Sequence, residues 1–196
     1  MSFVSIIANE KLCCIMSDGR LTNRSTGEIA QEDLKKYDTY NNNTSFIAST
    51  GTKGVSDYIL KHVKIKSNNY DEWIDSFEKF YDDPGLSLIF KLHPQSRLQL
   101  TFGGLNHKNQ IELYSFNYIA RTIKKHKVSK EEYLLLLLGE AKYFDGPSDI
   151  YKRELEDKEN ITASDLISVQ KLMNNHVADL TPHVNKNTYR LVIKKQ

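Results

Sequence analysis

Ser2 places a hydroxyl at the head of the first apolar run of the chain, Phe3–Ala8. A chain end normally frays, so a strand that starts this early ties the terminus down, and the hydroxyl with it. The other groups able to do chemistry are few. Cys13 and Cys14 are the only cysteines. Adjacent in a strand, they face opposite ways, which argues against a disulfide between them. They read as small buried hydrophobes in a reducing compartment, with thiols inert by burial. The six histidines are scattered without metal-ligand spacing such as His-Glu-x-x-His. No Gly-x-x-x-x-Gly-Lys loop or dinucleotide fingerprint occurs, so neither a metal nor a cofactor is expected. Gly103-Gly104 lies inside a strand pattern and reads as a bulge or a close backbone approach. Trp73 shares a helical face with Phe77 and Phe80 and reads as core.

The elements that must position these residues follow from periodicity. Phe3–Ala8 and Leu12–Ser17 read as strands joined through Asn9-Glu10-Lys11, and their nearly continuous apolar runs suggest cover on both faces. Asp18 to Asp33 is a polar excursion. Leu34–Tyr40 is a short strand candidate, Asn41-Asn42-Asn43 a turn, and Ser45–Gly51 another buried strand. Helical spacing follows at Val55, Tyr58, Ile59, His62 and Val63, then at Trp73, Ile74, Phe77, Phe80 and Tyr81. Asp82-Asp83-Pro84-Gly85 stops that helix. Leu86–Leu92 fits either a helix or a strand. Gln99–Leu105 and Gln110–Phe116 read as a hairpin, and the leucine run Tyr133–Leu138 as a buried strand or a helix start. Ser148–Lys158 and Ala163–Asp179 are expected helices, the second capped by Thr162 and Asp165. Its buried stripe is Leu166, Val169, Gln170, Leu172, Met173, His176 and Val177. Thr188–Lys194 is the last strand.

Neither run of strands can bury both faces alone. Two mainly antiparallel sheets packed face to face, with a helical pair on each outer side, satisfy all of these surfaces. The expected fold is α+β, a four-layer αββα sandwich, and the length of 196 residues suits one domain over 1–196.

Composition narrows the partners. A net charge of +2 gives no electrostatic case for nucleic acid or an anionic membrane, and Lys124-Lys125-His126-Lys127 reads as a solvated loop or helix end. No stretch approaches a membrane span, and the opening run lacks the basic residues and length of a signal peptide. A cytoplasmic protein is expected.

With these elements in place, the chain resembles the proteasome β-subunit and HslV-like family of N-terminal nucleophile (Ntn) hydrolases. The second strand ends in Ser17-Asp18-Gly19-Arg20, a lysine strand follows at Lys35-Lys36-Tyr37, and a small-residue strand, Phe46-Ile47-Ala48-Ser49-Thr50-Gly51, runs into a helix. Gln99–Phe116 resembles the central hairpin of the family. Counting back from Asp18 puts Ser2 at the nucleophile position, where the family has Thr, once Met1 is removed. The family's Gly-Ser-Gly step before the third helix is replaced by Leu138-Gly139-Glu140-Ala141. Its closing Asp and Ser have no clear counterpart in Pro182–Thr188.

The resemblance implies a peptide or amide hydrolase with Ser2 as nucleophile. A serine hydroxyl needs a base, and the α-amine of the same residue, with an unperturbed pKa of ~7.7–8.0, can serve. Lys36, with Lys35 as the alternate, would keep that amine neutral as a like charge does. Asp18 would orient the lysine, and backbone N–H groups near Ser49, Thr50 and Gly51 would form the oxyanion hole. The resemblance also implies a homo-oligomer and a peptide or protein substrate. The alternative is an Ntn-fold protein without catalysis that acts through assembly or partner binding.

Overall fold

The computed structural model describes residues 2–23, 26–156 and 158–195. Strand β1 (Val4–Ala8) turns back into β2 (Leu12–Asp18) through Asn9, whose side-chain oxygen accepts from the N–H groups of Lys11 (2.9 Å) and Leu12 (3.0 Å). That local bond sets the hairpin register, in which Val4 faces Ser17 and Ala8 faces Cys13. Both strands are buried along their whole length, as their unbroken apolar runs predict. The leucine run resolves as strand β10 (Leu134–Leu138), antiparallel to β1, and β11 (Thr188–Lys194) pairs with β2. The first sheet therefore runs β10-β1-β2-β11.

The second sheet has five strands. They are β5 (Tyr37–Tyr40), β6 (Ser45–Gly51), β7 (Leu98–Leu105), β8 (Ile111–Asn117) and β9 (Thr122–His126), paired in that order and all antiparallel. Asn41, Asn42 and Asn43 turn β5 into β6 with positive φ, a conformation that asparagine tolerates better than most residues. A Cβ on Gly103 or Gly104 would lie about 2 Å from the carbonyl oxygens of Glu112 or Thr44. The glycine pair thus marks a close backbone approach.

Several expectations are corrected. The strand expected over Leu34–Tyr40 begins only at Tyr37, so Lys35 and Lys36 precede it. Lys124–Lys127 is neither loop nor helix end for most of its length; its first three residues close the second sheet as part of β9. Lysines on an edge strand discourage pairing with another chain. Within the 18–33 excursion, β3 (Leu21–Thr22) and β4 (Ile29–Gln31) form a small separate hairpin.

Helices α1 (Lys53–His62), α2 (Tyr70–Glu78) and α3 (Pro84–Leu92) cover the second sheet; α4 (Asp145–Leu155) and α5 (Ala163–Leu180) cover the first. Asp83 caps α3 through the Leu86 N–H at 2.7 Å, with Pro84 opening the helix. The ambiguous run 86–92 is thereby helical. Thr162 and Asp165 form the expected capping box of α5. On that helix Asn174 is buried where the stripe had Leu172, which is exposed. Ser148–Lys158 is shifted N-terminally to Asp145–Leu155, and its expected end overlaps residue 157, outside the described residues.

Three apolar layers hold this αββα sandwich together. Val4, Ile6, Cys13 and Ile15 meet Phe46, Ala48 and Leu113 between the sheets. Phe3, Ile7 and Cys14 meet Leu166, Val169 and Met173 under α4 and α5. Cys13 and Cys14 do face opposite ways, and burial raises both thiols, Cys14 to about 12. Under α2 an aromatic cluster joins Trp73, Phe77, Phe102 and Phe116, with Phe77 stacked on Phe102 at 4.5 Å. Among the described residues no helix is long and apolar enough to cross a membrane.

Phe77 is fully buried at the centre of that cluster. Phe77→Ala is expected to cost ~3–5 kcal/mol, read as a lowered urea midpoint with an unchanged slope.

Candidate functional site

One end of the sandwich brings together segments that are far apart in the chain. Ser2 leads into β1, Asp18 ends β2, Lys36 precedes β5, and Thr50 and Gly51 end β6. Ser2, Lys36, Ser49, Thr50 and Gly51 line one small cleft with Leu21, Leu34 and Lys53. Its volume is about 60 Å³. A larger cavity of about 540 Å³ lies elsewhere, among Glu10, Gln110, Glu112, Lys125, His126, Lys127 and Lys195. Its lysines are exposed, and Lys125 is paired with Glu112 at 2.9 Å. Lys36 lines the smaller cleft and is itself buried, whereas the lysines of the larger one are exposed, so the smaller is the stronger candidate.

Asp18 is fully buried. The β1–β2 register sets Phe3 beside it, and one carboxylate oxygen accepts from the Phe3 N–H at 2.8 Å while the other accepts from the Arg20 N–H at 2.8 Å. The Asp18 N–H also donates to the Phe3 carbonyl at 3.1 Å. The residue directly after Ser2 is thus pinned on both its polar groups. Burial pushes the Asp18 carboxyl up, to about 6, against the opposing pull of Lys36 and the two backbone N–H groups.

Lys36 is buried and Lys35 exposed, the latter lying over the Tyr37 ring. The Lys36 ammonium donates to the Arg20 carbonyl. Its pKa is lowered, chiefly by burial, with Asp18 opposing the shift and Lys53 adding to it. Asp18 and Lys36 interact through charge; the Asp18 oxygens are occupied by backbone N–H groups, and Lys36 reaches the carbonyl of the residue that Asp18 holds. The Arg20 side chain is held in turn. It bonds Glu32 at 2.8 and 3.1 Å and also the Pro182 carbonyl. Asn185 bonds the Gly19 N–H (2.9 Å) and the Glu32 carbonyl (3.0 Å). These bonds fasten the excursion that carries Lys36 to the segment between α5 and β11.

The three residues of the β6 end differ in what they have left to offer. The Ser49 N–H donates to the Lys36 carbonyl at 3.0 Å. The Thr50 hydroxyl donates to the Gln99 side-chain oxygen at 3.0 Å. Strand alternation turns the Gly51 N–H to the same side as that of Ser49, but there the neighbouring chain has turned away: the Leu34 N–H bonds Gly19. Gly51 has φ +116°, and a Cβ there would lie 2.1 Å from the Arg97 carbonyl, so this strand end requires glycine.

The sequence reading gave no site role of their own to two residues that lie at the site, Gly139 and Gln99. Gly139, just after β10, has φ +146°, and a Cβ on it would lie 2.7 Å from the Ser2 carbonyl oxygen. Gln99 accepts from the Gly139 N–H at 2.6 Å. A glycine ending a strand pattern was legible, but its packing on Ser2 depends on β10 pairing with β1. Among the described residues no cluster of His, Cys, Asp or Glu is arranged to hold a metal ion.

No family model and no curated protein matches the sequence. Solved structures do match in shape. The chain superposes on Anbu (ancestral beta-subunit) from Yersinia bercovieri with TM-score 0.73 at 12% identity, covering 98% of this chain and 81% of that one. It matches the Anbu complex from Pseudomonas aeruginosa, described as a helical assembly, with TM-score 0.71 at 15% identity over 99% and 81%. Eukaryotic HslV from Trypanosoma brucei matches with TM-score 0.64 at 11% identity over 98% and 99%. The chain has the proteasome-like Ntn fold.

The raised carboxyl of Asp18 has a signature in stability. Its native state binds the proton more tightly than the unfolded chain, whose value is near 3.8. This group therefore favours folding most at low pH, and the contribution is lost as pH rises from about 4 to about 6. The wild type should lose stability relative to Asp18→Asn across that window and run parallel to it above, in urea titrations at successive pH values. A flat difference would overturn the assignment. Below that window the variant should be the weaker by ~1–3 kcal/mol, since an amide NH₂ replaces one acceptor of a buried N–H.

Proposed function

We propose that the chain is an Ntn hydrolase that cleaves amide or peptide bonds with Ser2 as its nucleophile, after removal of Met1. The observation that carries this reading is the convergence of Ser2, Lys36, Thr50 and Gly51 on one cleft, with Asp18 pinning the residue after Ser2. In this mechanism the free α-amine of Ser2 takes the proton of its own hydroxyl as Oγ attacks the substrate carbonyl carbon. Charge developing on the carbonyl oxygen is met by the Gly51 N–H. The ammonium returns the proton to the leaving amine, and water then hydrolyses the Ser2 ester by the same base. Lys36 sits nearby as a cation that disfavours a second positive charge on the amine.

A homo-oligomer is the proposed state. Leu88 and Leu92 lie one turn apart on α3, and Leu172 and Leu180 about two turns apart on α5, all exposed. They supply apolar surface on both helical layers, and the Anbu complex from P. aeruginosa forms a helical assembly. These same exposed side chains favour the second reading, a protein that acts by assembly without turnover. Native-state mass measurement decides the oligomer; activity decides between the readings.

Intact mass of untagged protein should be lower by one methionine. Ser2→Ala should then lower kcat on fluorogenic peptide amides by roughly a thousandfold or more, with the fold intact. Retained Met1, or a Ser2→Ala variant as active as the wild type, would overturn catalysis by Ser2 and leave the assembly reading.

A further inference from the structure

Ser2 and the β6 end belong to different sheets. What joins those sheets is mainly the apolar layer between them, and apolar contact is non-directional. It holds the sheets together without fixing how far one end slides past the other. A reaction between Ser2 Oγ and a carbonyl held at Gly51 needs that distance set.

Gln99 crosses the gap. It is the second residue of β7 and stands opposite Thr50 in the register. Its side-chain oxygen accepts two bonds, from Thr50 Oγ1 in its own sheet at 3.0 Å and from the Gly139 N–H of the other sheet's edge at 2.6 Å. The amide orientation is unambiguous, because a backbone N–H can only donate. Thr50 must then also donate, and both hydrogens on Gln99 Nε2 remain outside these two bonds. Gly139 follows Leu138, the partner of Val4, and its α-carbon rests against the Ser2 carbonyl so closely that a Cβ would lie 2.7 Å away. Lys36, just before β5, makes a further tie to Arg20, just after β2. Polar ties thus join the ends of the two sheets where Ser2 and Lys36 share a cleft.

We propose that Gln99 is a positioning residue of the Ser2 site. By holding Gly139 against Ser2 and Thr50 in the β6 end, it sets the distance from the nucleophile to the Gly51 N–H. This inference rests on Ser2 being the nucleophile. It concerns the geometry of the transition state, so it predicts a loss in kcat, not in substrate affinity.

The test compares wild type, Ser2→Ala, Gln99→Leu and Gln99→Glu on one fluorogenic peptide amide, with melting curves for each. Leu keeps the bulk of the side chain and removes the acceptor; a carboxylate keeps an acceptor for both donors. Gln99→Leu is expected to lower kcat roughly tenfold to a hundredfold with KM within about twofold. Gln99→Glu should recover most of the rate. Three results overturn the inference alone while Ser2→Ala is inactive: Gln99→Leu with wild-type kcat, a loss confined to KM, or equal losses in both variants that track their melting temperatures. A wild type no more active than Ser2→Ala overturns the Ser2 reading itself and takes this inference with it.

Discussion

The buried carboxylate of Asp18 is the constraint on which the candidate site depends. A carboxylate taken out of water has to be supplied with donors, and here both come from the main chain, at Phe3 and Arg20. The first bond fixes the residue that follows Ser2. The second fixes the backbone whose carbonyl receives the Lys36 ammonium. One side chain thereby locates both the nucleophile candidate and the cation beside it, although it touches neither through its own oxygens. Its raised pKa and the lowered pKa of Lys36 have the same first cause, burial, and each charge partly relieves the other.

The sandwich makes such a site feasible. Covering both faces of β1 and β2 buries them completely, out to the end of the sheet where Asp18 lies. The chain segments that leave that end, at 19–36 and 181–187, are fastened to each other by Arg20, Glu32 and Asn185. Glu32 has its pKa lowered, first by the Arg20 bond and then by Asn185. A loop over a site is ordinarily its most mobile part; here the loop that delivers Lys36 is bonded at Gly19, Arg20, Glu32 and Leu34, which suits a group whose effect falls off with distance.

Residue chemistry alone separated some parts of this design from others. Ser2 and Asp18 were related in the sequence through the resemblance to the Ntn family; the structure joins them through the hairpin, where Asn9 sets the turn and the register puts Phe3 beside Asp18. The capping box at Thr162 and Asp165 was legible because its spacing is local. β9 was missed because its exposed lysines carry little apolar alternation, and an edge strand is defined by its neighbour, β8, more than by its own pattern. Leu86–Leu92 was ambiguous because a short apolar run fits either period; the Asp83 cap and Pro84, read as a stop, also start the next helix.

The sequence by itself determined the layers, most of the strands and helices, and the candidacy of Ser2, Asp18 and a lysine at 35 or 36. The layers and elements follow from periodicity, turn residues and short-range spacing, which act over a few residues; the candidacy of the site residues follows from the resemblance to the Ntn family laid over those elements. Only the tertiary structure decided that Lys36 is the buried lysine, that it reaches Arg20, that the Thr50 hydroxyl is committed to Gln99, and that Gly139 packs on Ser2. Each of those depends on a pairing between residues 16 or more positions apart. Contacts of that range are set by which strands pair and how the two sheets meet, and no local pattern of residue types encodes either.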